Sequence, residues 1–348
     1  MYAEELQALR RDDRGPRPPG WLLSAPSVRS FILGDSKRKI RKKFVGHAAL
    51  VDRAMVTLAT NRGLMLVGEP GTAKSMLSEL LAAAICGNST LTIQGSAATS
   101  EDHIKYSWNY ALLLAEGPSG RALVPSPLYR GMHEGLLVRF EEITRCPQET
   151  QDCLLGVLSD RVMAVPELSG EAGMLYAREG FNIIATANTR DRGTNEMSAA
   201  LKRRFNFETV FPIPDFATEL ELVKDQAEAL LASAGVPRVP ADEVLELLVT
   251  TFRELRAGQT QDGHAMERLT TAMSTAEAVS VAVAVGVRAH YLNSAAARPA
   301  DVVECLAGAA VKENADDLAR VRAYFEQQVA KRSGAAWKAY YEARHLLG

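Results

Sequence analysis

Gly68-Glu69-Pro70-Gly71-Thr72-Ala73-Lys74-Ser75 is the stretch on which the reading of this chain turns. Leu64-Met65-Leu66-Val67, just before it, is a short apolar run of the kind that forms a buried strand. After it, Lys74 to about Cys86 carries helical spacing. A strand, a glycine-rich turn and a helix in that order form the context of a phosphate-binding loop. The chemistry dictates the residue types. Backbone N–H groups must turn inward around phosphates, which asks for glycine's freedom at Gly68 and Gly71. Lys74 offers a cation to the β- and γ-phosphates, and Ser75 a hydroxyl to Mg²⁺. The N-terminal dipole of the helix opening at Lys74 adds to both. The general pattern has glycine where Ala73 stands; alanine is small and helix-compatible, so this reads as a mild departure. The stretch from Gly68 to Met76 is thus the expected cradle for ATP with Mg²⁺.

Two further strand ends fit that ligand. Leu136-Leu137-Val138-Arg139-Phe140-Glu141-Glu142 is an apolar strand ending in paired acids. In this Walker B arrangement the first acid, Glu141, orients the metal and its waters, and Glu142 activates the attacking water. The usual first acid is Asp; the extra methylene of Glu141 can shift the metal or relax hydrolysis. Arg139 inside the apolar strand has no explanation in the sequence. Phe181-Asn182-Ile183-Ile184-Ala185-Thr186-Ala187-Asn188 ends in an amide expected to hold water near the γ-phosphate. Leu201-Lys202-Arg203-Arg204-Phe205 reads either as a solvated basic face or as the source of an arginine finger for a neighbouring subunit.

The rest of the chain supports a two-part architecture. At 348 residues it is long enough for about two domains, and a net charge of −2 gives no reason to expect nucleic acid or an anionic membrane as main partner. Candidate strands at 91–94, 136–140 and 181–187 alternate with helical patterns, which argues for a parallel sheet with helices on both faces. After Pro212-Ile213-Pro214 only helical periodicity remains. The expected division is an N-terminal arm at 1–43, an α/β ATPase domain at 44–215, a small helical lid domain at 216–290 and a helical tail at 291–348. Gly15-Pro16-Arg17-Pro18-Pro19-Gly20 breaks any helix in the arm, which reads as loosely packed, and Lys37 to Lys43 reads as a solvated basic linker. The four cysteines form no CxxC pair and suggest a reducing compartment. No apolar run is long enough to span a bilayer, so a cytoplasmic protein is expected.

Three stretches together resemble the MoxR-like AAA+ ATPases: the loop at 68–75, Glu-Glu-Ile-Thr-Arg at 141–145 followed by Gln151, and Ala-Thr-Ala-Asn at 185–188 before Arg-Arg-Phe at 203–205. The resemblance implies a P-loop AAA+ α/β domain with a helical lid, ring assembly (commonly a hexamer) and chaperone-like remodelling of a protein client. It also implies a partner bearing a von Willebrand factor A domain. By family position Arg204, rather than Arg203, is the finger, and Val45 and Gly46 lie against the adenine. Two insertions are implied, at 121–134 and 161–180. The family's second sensor is an arginine in the lid: Arg268 is near the right region, while Ser274-Thr275-Ala276 has alanine where the motif has arginine. Two other readings stay open: a nucleic-acid motor or loader on the same fold, which DNA-stimulated ATP turnover would favour, and a non-hydrolysing nucleotide switch, which absence of turnover would favour.

Overall fold

The computed structural model describes residues 2–189, 195–293, 295–312 and 314–347. They divide into two units, Met1–Gly68 with Ala73–Val210, and Glu69–Thr72 with Phe211–Gly348.

The first unit opens with α1 (Ala3–Asp12), α2 (Ala25–Leu33) and α3 (Ala48–Leu58), which lead to β1 (Gly63–Gly68), α4 (Lys74–Cys86) and β2 (Thr92–Gln94). Then come α5 (Glu101–Ile104), β3 (Tyr106–Trp108), α6 (Tyr110–Glu116), β4 (Leu123–Pro125), α7 (Pro127–Glu134) and β5 (Leu137–Glu141). The unit ends with α8 (Gln148–Asp152), α9 (Leu154–Ser159), β6 (Val162–Ala164), β7 (Met174–Tyr176), β8 (Asn182–Asn188), α10 (Ala199–Lys202) and β9 (Phe205–Thr209). Five strands form one sheet in the order β2-β5-β8-β1-β9, and every neighbouring pair is parallel. Alternate residues feed opposite faces, as the two-residue period of a strand requires. Leu64, Leu66, Leu137 and Ile184 join the core built with α1 to α4. Met65, Val138, Phe140, Ile183 and Ala185 join the core on the other face. Strands covered on both sides are continuous apolar runs, which is why the sequence exposes them.

The first 43 residues are not a loose arm. Leu9, Trp21, Leu23, Val28, Phe31 and Ile32 are buried in the same core as α3 and α4. Leu22 N–H donates to Ile85 O at 2.7 Å. Asp13 accepts the N–H and hydroxyl of Ser24 at 2.6 and 2.5 Å. Burial pushes the Asp13 carboxyl up, but bonds from Ser24, Gly15 and Ser27 outweigh it and hold the group at about 2. The proline-rich break ends one helix and lets the chain fold back. The basic run is ordered too. Asp35 and Ile40 close a bridged turn with Lys37 to Lys39 at its tip, and Lys43 pairs with Glu5 at 2.7 Å while lying over the Phe31 ring.

The first excursion also differs from expectation. The antiparallel pair β3–β4, with α6 between its strands, spans 106–125. Residues 127–134 are instead α7, a core helix with Leu128 and Met132 fully buried. The pair β6–β7 lies inside the expected 161–180. Glu167 ties the two excursions together, accepting Tyr106 Oη–H at 2.9 Å and Trp108 Nε1–H at 3.4 Å.

The second unit contains α11 (Phe216–Ser233), α12 (Asp242–Ala257), α13 (Thr275–Tyr291), α14 (Pro299–Ala310), α15 (Ala315–Gln327) and α16 (Ala335–Glu342). The residues expected as a separate tail share its core: Val302, Leu306, Val321, Phe325 and Tyr340 cluster with Val223, Phe252 and Val285. Helical periodicity shows that each helix has an apolar face but not which other face it meets.

Glu219, fully buried, binds α11 to α12 and α13. Its carboxylate accepts Arg253 at 2.7 Å, Arg256 at 2.8 Å and Thr275 Oγ1–H at 2.6 Å. Burial pushes this carboxyl up, but its bonds with Arg256, Thr275 and Arg253 prevail and hold it below 4.5. Glu219→Ala would leave two half-sequestered cations without their anion and should lower stability by about 3–5 kcal/mol at neutral pH. Because the folded pKa is depressed, the carboxylate's contribution is present above the unfolded value and lost as pH falls through the folded one. Urea unfolding of parent and variant should therefore begin to converge as pH falls below 4.5, and converge fully only below the depressed folded value. A deficit equally large in acid would contradict this account.

Candidate active site

The parallel register brings three strand ends together. β1 ends at Gly68 opposite Asn188, the last residue of β8, and β5 ends at Glu141 opposite Gln94. Ligands of such sheets bind beyond these carboxyl ends. The glycine-rich turn leaves β1 here. Gly71 has φ +75°, in the left-handed region that glycine enters freely. Thr72 Oγ1–H closes the turn onto Glu69 O at 2.9 Å.

Ala73 is more than a mild departure. It precedes α4 with φ +66° and ψ 26°, left-handed rather than helical. For a residue with a Cβ this conformation costs roughly 1–2 kcal/mol. The missing glycine is therefore a conformational matter, which its size and helix propensity do not reveal.

Lys74 begins α4 with its side chain buried, and Nζ donates to Gly68 O at 3.2 Å. Met76 packs toward the core of that face. Ser75 Oγ–H donates to Glu141 Oε2 at 2.7 Å, and Thr186 Oγ1–H donates to the same oxygen at 2.8 Å. Glu141 Oε1 accepts Ser78 Oγ–H at 2.7 Å and Arg139 Nη2–H at 2.8 Å. Only 5% of Glu141 is exposed. Burial pushes its carboxyl up; the hydroxyls of Ser75, Ser78 and Thr186 and the Arg139 guanidinium together outweigh it and keep the acid ionised more readily than usual.

Glu142 is left-handed, with φ +56° and ψ 43°. Its N–H donates to Thr186 Oγ1 at 3.0 Å. Gly95 N–H donates to Glu141 O at 2.8 Å, and a Cβ on Gly95 would lie 2.3 Å from Glu142 O. Glycine there lets β2 approach and brace the strained turn. Strain of this kind persists where surrounding contacts over-determine it, and it gathers at functional positions. The Glu142 carboxylate accepts Asn188 Nδ2–H at 2.8 and 3.0 Å, and Arg145 Nε–H at 3.3 Å. The Asn188 amide, expected to hold water, here holds the expected catalytic base.

Ser75 with Glu141 and Asn188 with Glu142 thus form two bonded pairs, joined by Thr186 through the Glu141 carboxylate and the Glu142 N–H. Oxygen donors in this pattern suit Mg²⁺, which keeps waters and phosphate oxygens among its ligands. Among the described residues no group of three or more His, Cys, Asp and Glu side chains could hold a metal ion. A cation held here would accordingly complete its shell from phosphate and water.

Other expected residues lie apart. Arg204 Nε–H donates to Ser159 Oγ at 2.9 Å and Nη1–H to Ala200 O at 3.0 Å. Its carbonyl accepts Gly63 N–H, so it sits at the start of β1, while the phosphate loop sits at its end. Arg203 beside it is exposed. Val45 and Gly46 lie in the turn between buried Phe44 and α3. Arg268, in the second unit, donates from Nε to Arg256 O at 2.9 Å and lines a cavity of about 380 Å³ with Arg253 and Arg256. Ser274 caps α13, exchanging bonds with Glu277, and Ala276 follows in the first turn. The reading of the sequence missed Ser78, Gly95, Arg145 and Thr186. Ser78 was discoverable, three residues from Ser75 on the same helix face.

Two family models match the chain: an AAA domain of the dynein-related subfamily over residues 63–205, and the C-terminal domain of YehL-like AAA+ ATPases over residues 217–348. YehL of Escherichia coli (strain K12) is 65% identical over 347 residues, covering 100% of this chain and 96% of that protein. YojN of Bacillus subtilis (strain 168) is 28% identical over 180 residues, so that the match takes in 49% of this chain and about half, 54%, of that relative. Among solved structures, the Thermotoga maritima RuvB Holliday junction branch migration motor aligns with TM-score 0.48 and 13% identity, covering 86% of this chain and 80% of that one. Brucella abortus NtrX in complex with ATP aligns with TM-score 0.47 and 16% identity, covering 70% and 50%. Among the described residues no helix is long and apolar enough to cross a membrane.

Ala73→Gly relieves the left-handed alanine but frees the unfolded chain, a loss of about 0.4–1 kcal/mol. The net expectation is a gain of between about 0 and about 1.6 kcal/mol in thermal or urea unfolding. A clear loss of stability would show that the Ala73 methyl contributes packing that outweighs its strain.

Proposed function

The chain belongs to the YehL-like AAA+ ATPases, and from that premise we propose that it hydrolyses ATP with Mg²⁺ at the Gly68–Ser75 site and couples this to chaperone-like remodelling of a protein partner. The observation that carries the reading is the set of Ser75, Glu141, Thr186, Glu142 and Asn188, bonded together where β1, β5 and β8 end. The backbone of Gly68 to Lys74 binds the phosphates, with Glu69, Pro70 and Thr72 shaping the turn. Lys74 exchanges the Gly68 carbonyl for phosphate oxygen. Ser75 and Glu141 hold the metal, which when bound supplies charge neutralisation and orients the phosphate oxygens.

Glu142 accepts the proton of the attacking water. Asn188 and Arg145 already donate to its carboxylate, which leaves acceptor capacity on Oε1 for the water, and a turn of Asn188 away from it would raise its basicity. Nucleotide arrival is the event suited to move Asn188 from the carboxylate to the water. Val45 and Gly46 are proposed to flank the adenine. Arg268 remains the candidate for a second sensor, since Ala276 offers no charge where the resemblance has arginine.

Arg204 is proposed to act on a neighbouring subunit. It stands beside Gly63, five residues before Gly68 along β1, or about 16 Å at the rise of a strand. That exceeds the reach of an arginine side chain, so its own site is out of range. A ring supplies the missing guanidinium. The finer reading is a MoxR-like machine: a cytoplasmic ring, expected to be a hexamer, working on a protein client beside a partner with a von Willebrand factor A domain.

Lys74→Ala should abolish MgATP binding and turnover, whereas Glu142→Gln should keep ATP bound while turnover falls about 10²–10⁴-fold. Unchanged nucleotide binding in the lysine variant would remove the site from Gly68–Ser75. Arg204→Ala should bind ATP as the parent does, but lose turnover by about 10³–10⁵-fold. Mixed with Glu142→Gln after subunit exchange, it should regain part of that turnover, because one variant keeps a sound site and the other a sound finger. Co-assembly without recovery would argue against action between subunits.

A further inference from the structure

Two oddities of β5, an arginine in an apolar strand and a glutamate where aspartate is usual, meet at one carboxylate. Arg139 lies on the face of the sheet that carries α4, because Val138 and Phe140 on either side feed the opposite core. Its side chain is 11% exposed and its partner's 7%. Every nitrogen of the guanidinium is engaged. Nη2–H donates to Glu141 Oε1 at 2.8 Å and to Ser75 O at 3.1 Å, Nε–H to Ser78 Oγ at 2.9 Å, and Nη1–H to Ser89 O at 3.1 Å and Thr92 Oγ1 at 3.4 Å.

We propose that Arg139 is a positioning residue for the metal-side acid, and that Arg139 and Glu141 act as one unit replacing an apolar residue and an aspartate. The proposal rests on the reading of Ser75 and Glu141 as the metal side of the site. A glutamate reaches farther than an aspartate by one methylene, about 1.5 Å. Left to itself it would sample several rotamers and present either oxygen. Arg139 and Ser78 take Oε1, so Oε2 alone is turned to Ser75 Oγ and Thr186. The same guanidinium grips the Ser75 carbonyl, so the backbone and the acid that flank the hydroxyl are held by one rigid group. Arginine suits this work better than lysine, since its planar fork fixes direction as well as charge.

The pairing makes each residue wrong without the other. Glu141→Asp draws the carboxylate back and leaves a buried guanidinium without its anion. Arg139→Val frees the glutamate. The combination restores a short acid beside an apolar strand residue.

The test uses the full chain as parent, Arg139→Val, Glu141→Asp and the double variant. Equilibrium ATP affinity is measured with Mg²⁺ and with EDTA, and unfolding temperature without nucleotide. Each single variant should lose about 10–100-fold of the affinity that Mg²⁺ adds, the usual cost of removing an outer partner of a metal ligand. Affinity in EDTA should stay near the parent's, and the double variant should regain most of the Mg²⁺-dependent gain. A double variant no better than the worse single overturns the proposal. So does an unchanged Mg²⁺ response in Arg139→Val, or a stronger one, which would mean that the guanidinium only repels the dication. Coupling seen in unfolding temperature alone would make Arg139 a structural brace and nothing more. Should Arg139→Val fail to fold, Arg139→Lys keeps a cation but loses the planar fork, and an intact Mg²⁺ response there is equally fatal. A parent that binds no ATP overturns the functional reading itself, and shows before any variant is compared.

Discussion

A single buried carboxylate organises the first unit. Glu141 is almost without solvent, and an ionised group there is tolerable only if its oxygens are satisfied. The four donors come from α4, β5 and β8: Ser75 and Ser78, Arg139, and Thr186. The requirement to satisfy one charge therefore fixes the distance between the first turn of α4 and two adjacent strands. That distance is also what sets the phosphate loop against the acids. Removing any donor would disturb a stability term and the site geometry together, because they are the same contacts.

Backbone strain flanks this carboxylate on both sides. Ala73 and Glu142 are both left-handed non-glycine residues, the first entering α4 and the second leaving β5. Each turns the chain sharply just where a polar group must face outward from the sheet. The strain is held by the parallel ladder behind it: β1 paired to β8, β8 to β5 and β5 to β2, with Gly95 admitting β2 to the Glu142 carbonyl. A stiff sheet of apolar strands is what allows two unfavourable turns to persist a few residues apart in space.

How much of this the sequence discloses depends on the range of each interaction. The loop at 68–75 was readable because phosphate chemistry constrains eight consecutive residues. The strand ends at Glu141 and Asn188 were readable because an apolar run stops at a polar side chain. Arg139 was visible as an anomaly but not explicable, since most of its partners lie on α4 and at Ser89 and Thr92 about the start of β2, and only the register reveals which face it shares with them. Ser78 and Thr186 carry no mark of function beyond spacing. Residues 1–43 look like a linker because Gly15–Gly20 interrupts them, yet Leu9, Trp21 and Phe31 close the core over α3 and α4. The 291–348 helices were visible as helices, while their fusion with α11 to α13 depends on contacts far apart in sequence.

The polarity of the parallel sheet carries the last consequence. All five strands run the same way, so one end of the sheet collects every strand terminus that bears the phosphate loop and the acids. Arg204 enters β9 at the opposite end, level with Gly63. No rotamer change can bring it round, because the separation is set by the length of β1 and not by side-chain freedom. With Arg204 held by Ser159 and Ala200 at the far edge, its proposed action on a neighbour calls for an arrangement in which one copy's far edge meets another's loop. On that reading, an arginine would reach the charge developing on a transferring phosphoryl group when two copies are in register. On the proposed reading, assembly would be a condition of catalysis, and the spacing that keeps Arg204 from its own loop is what would couple neighbours to each other.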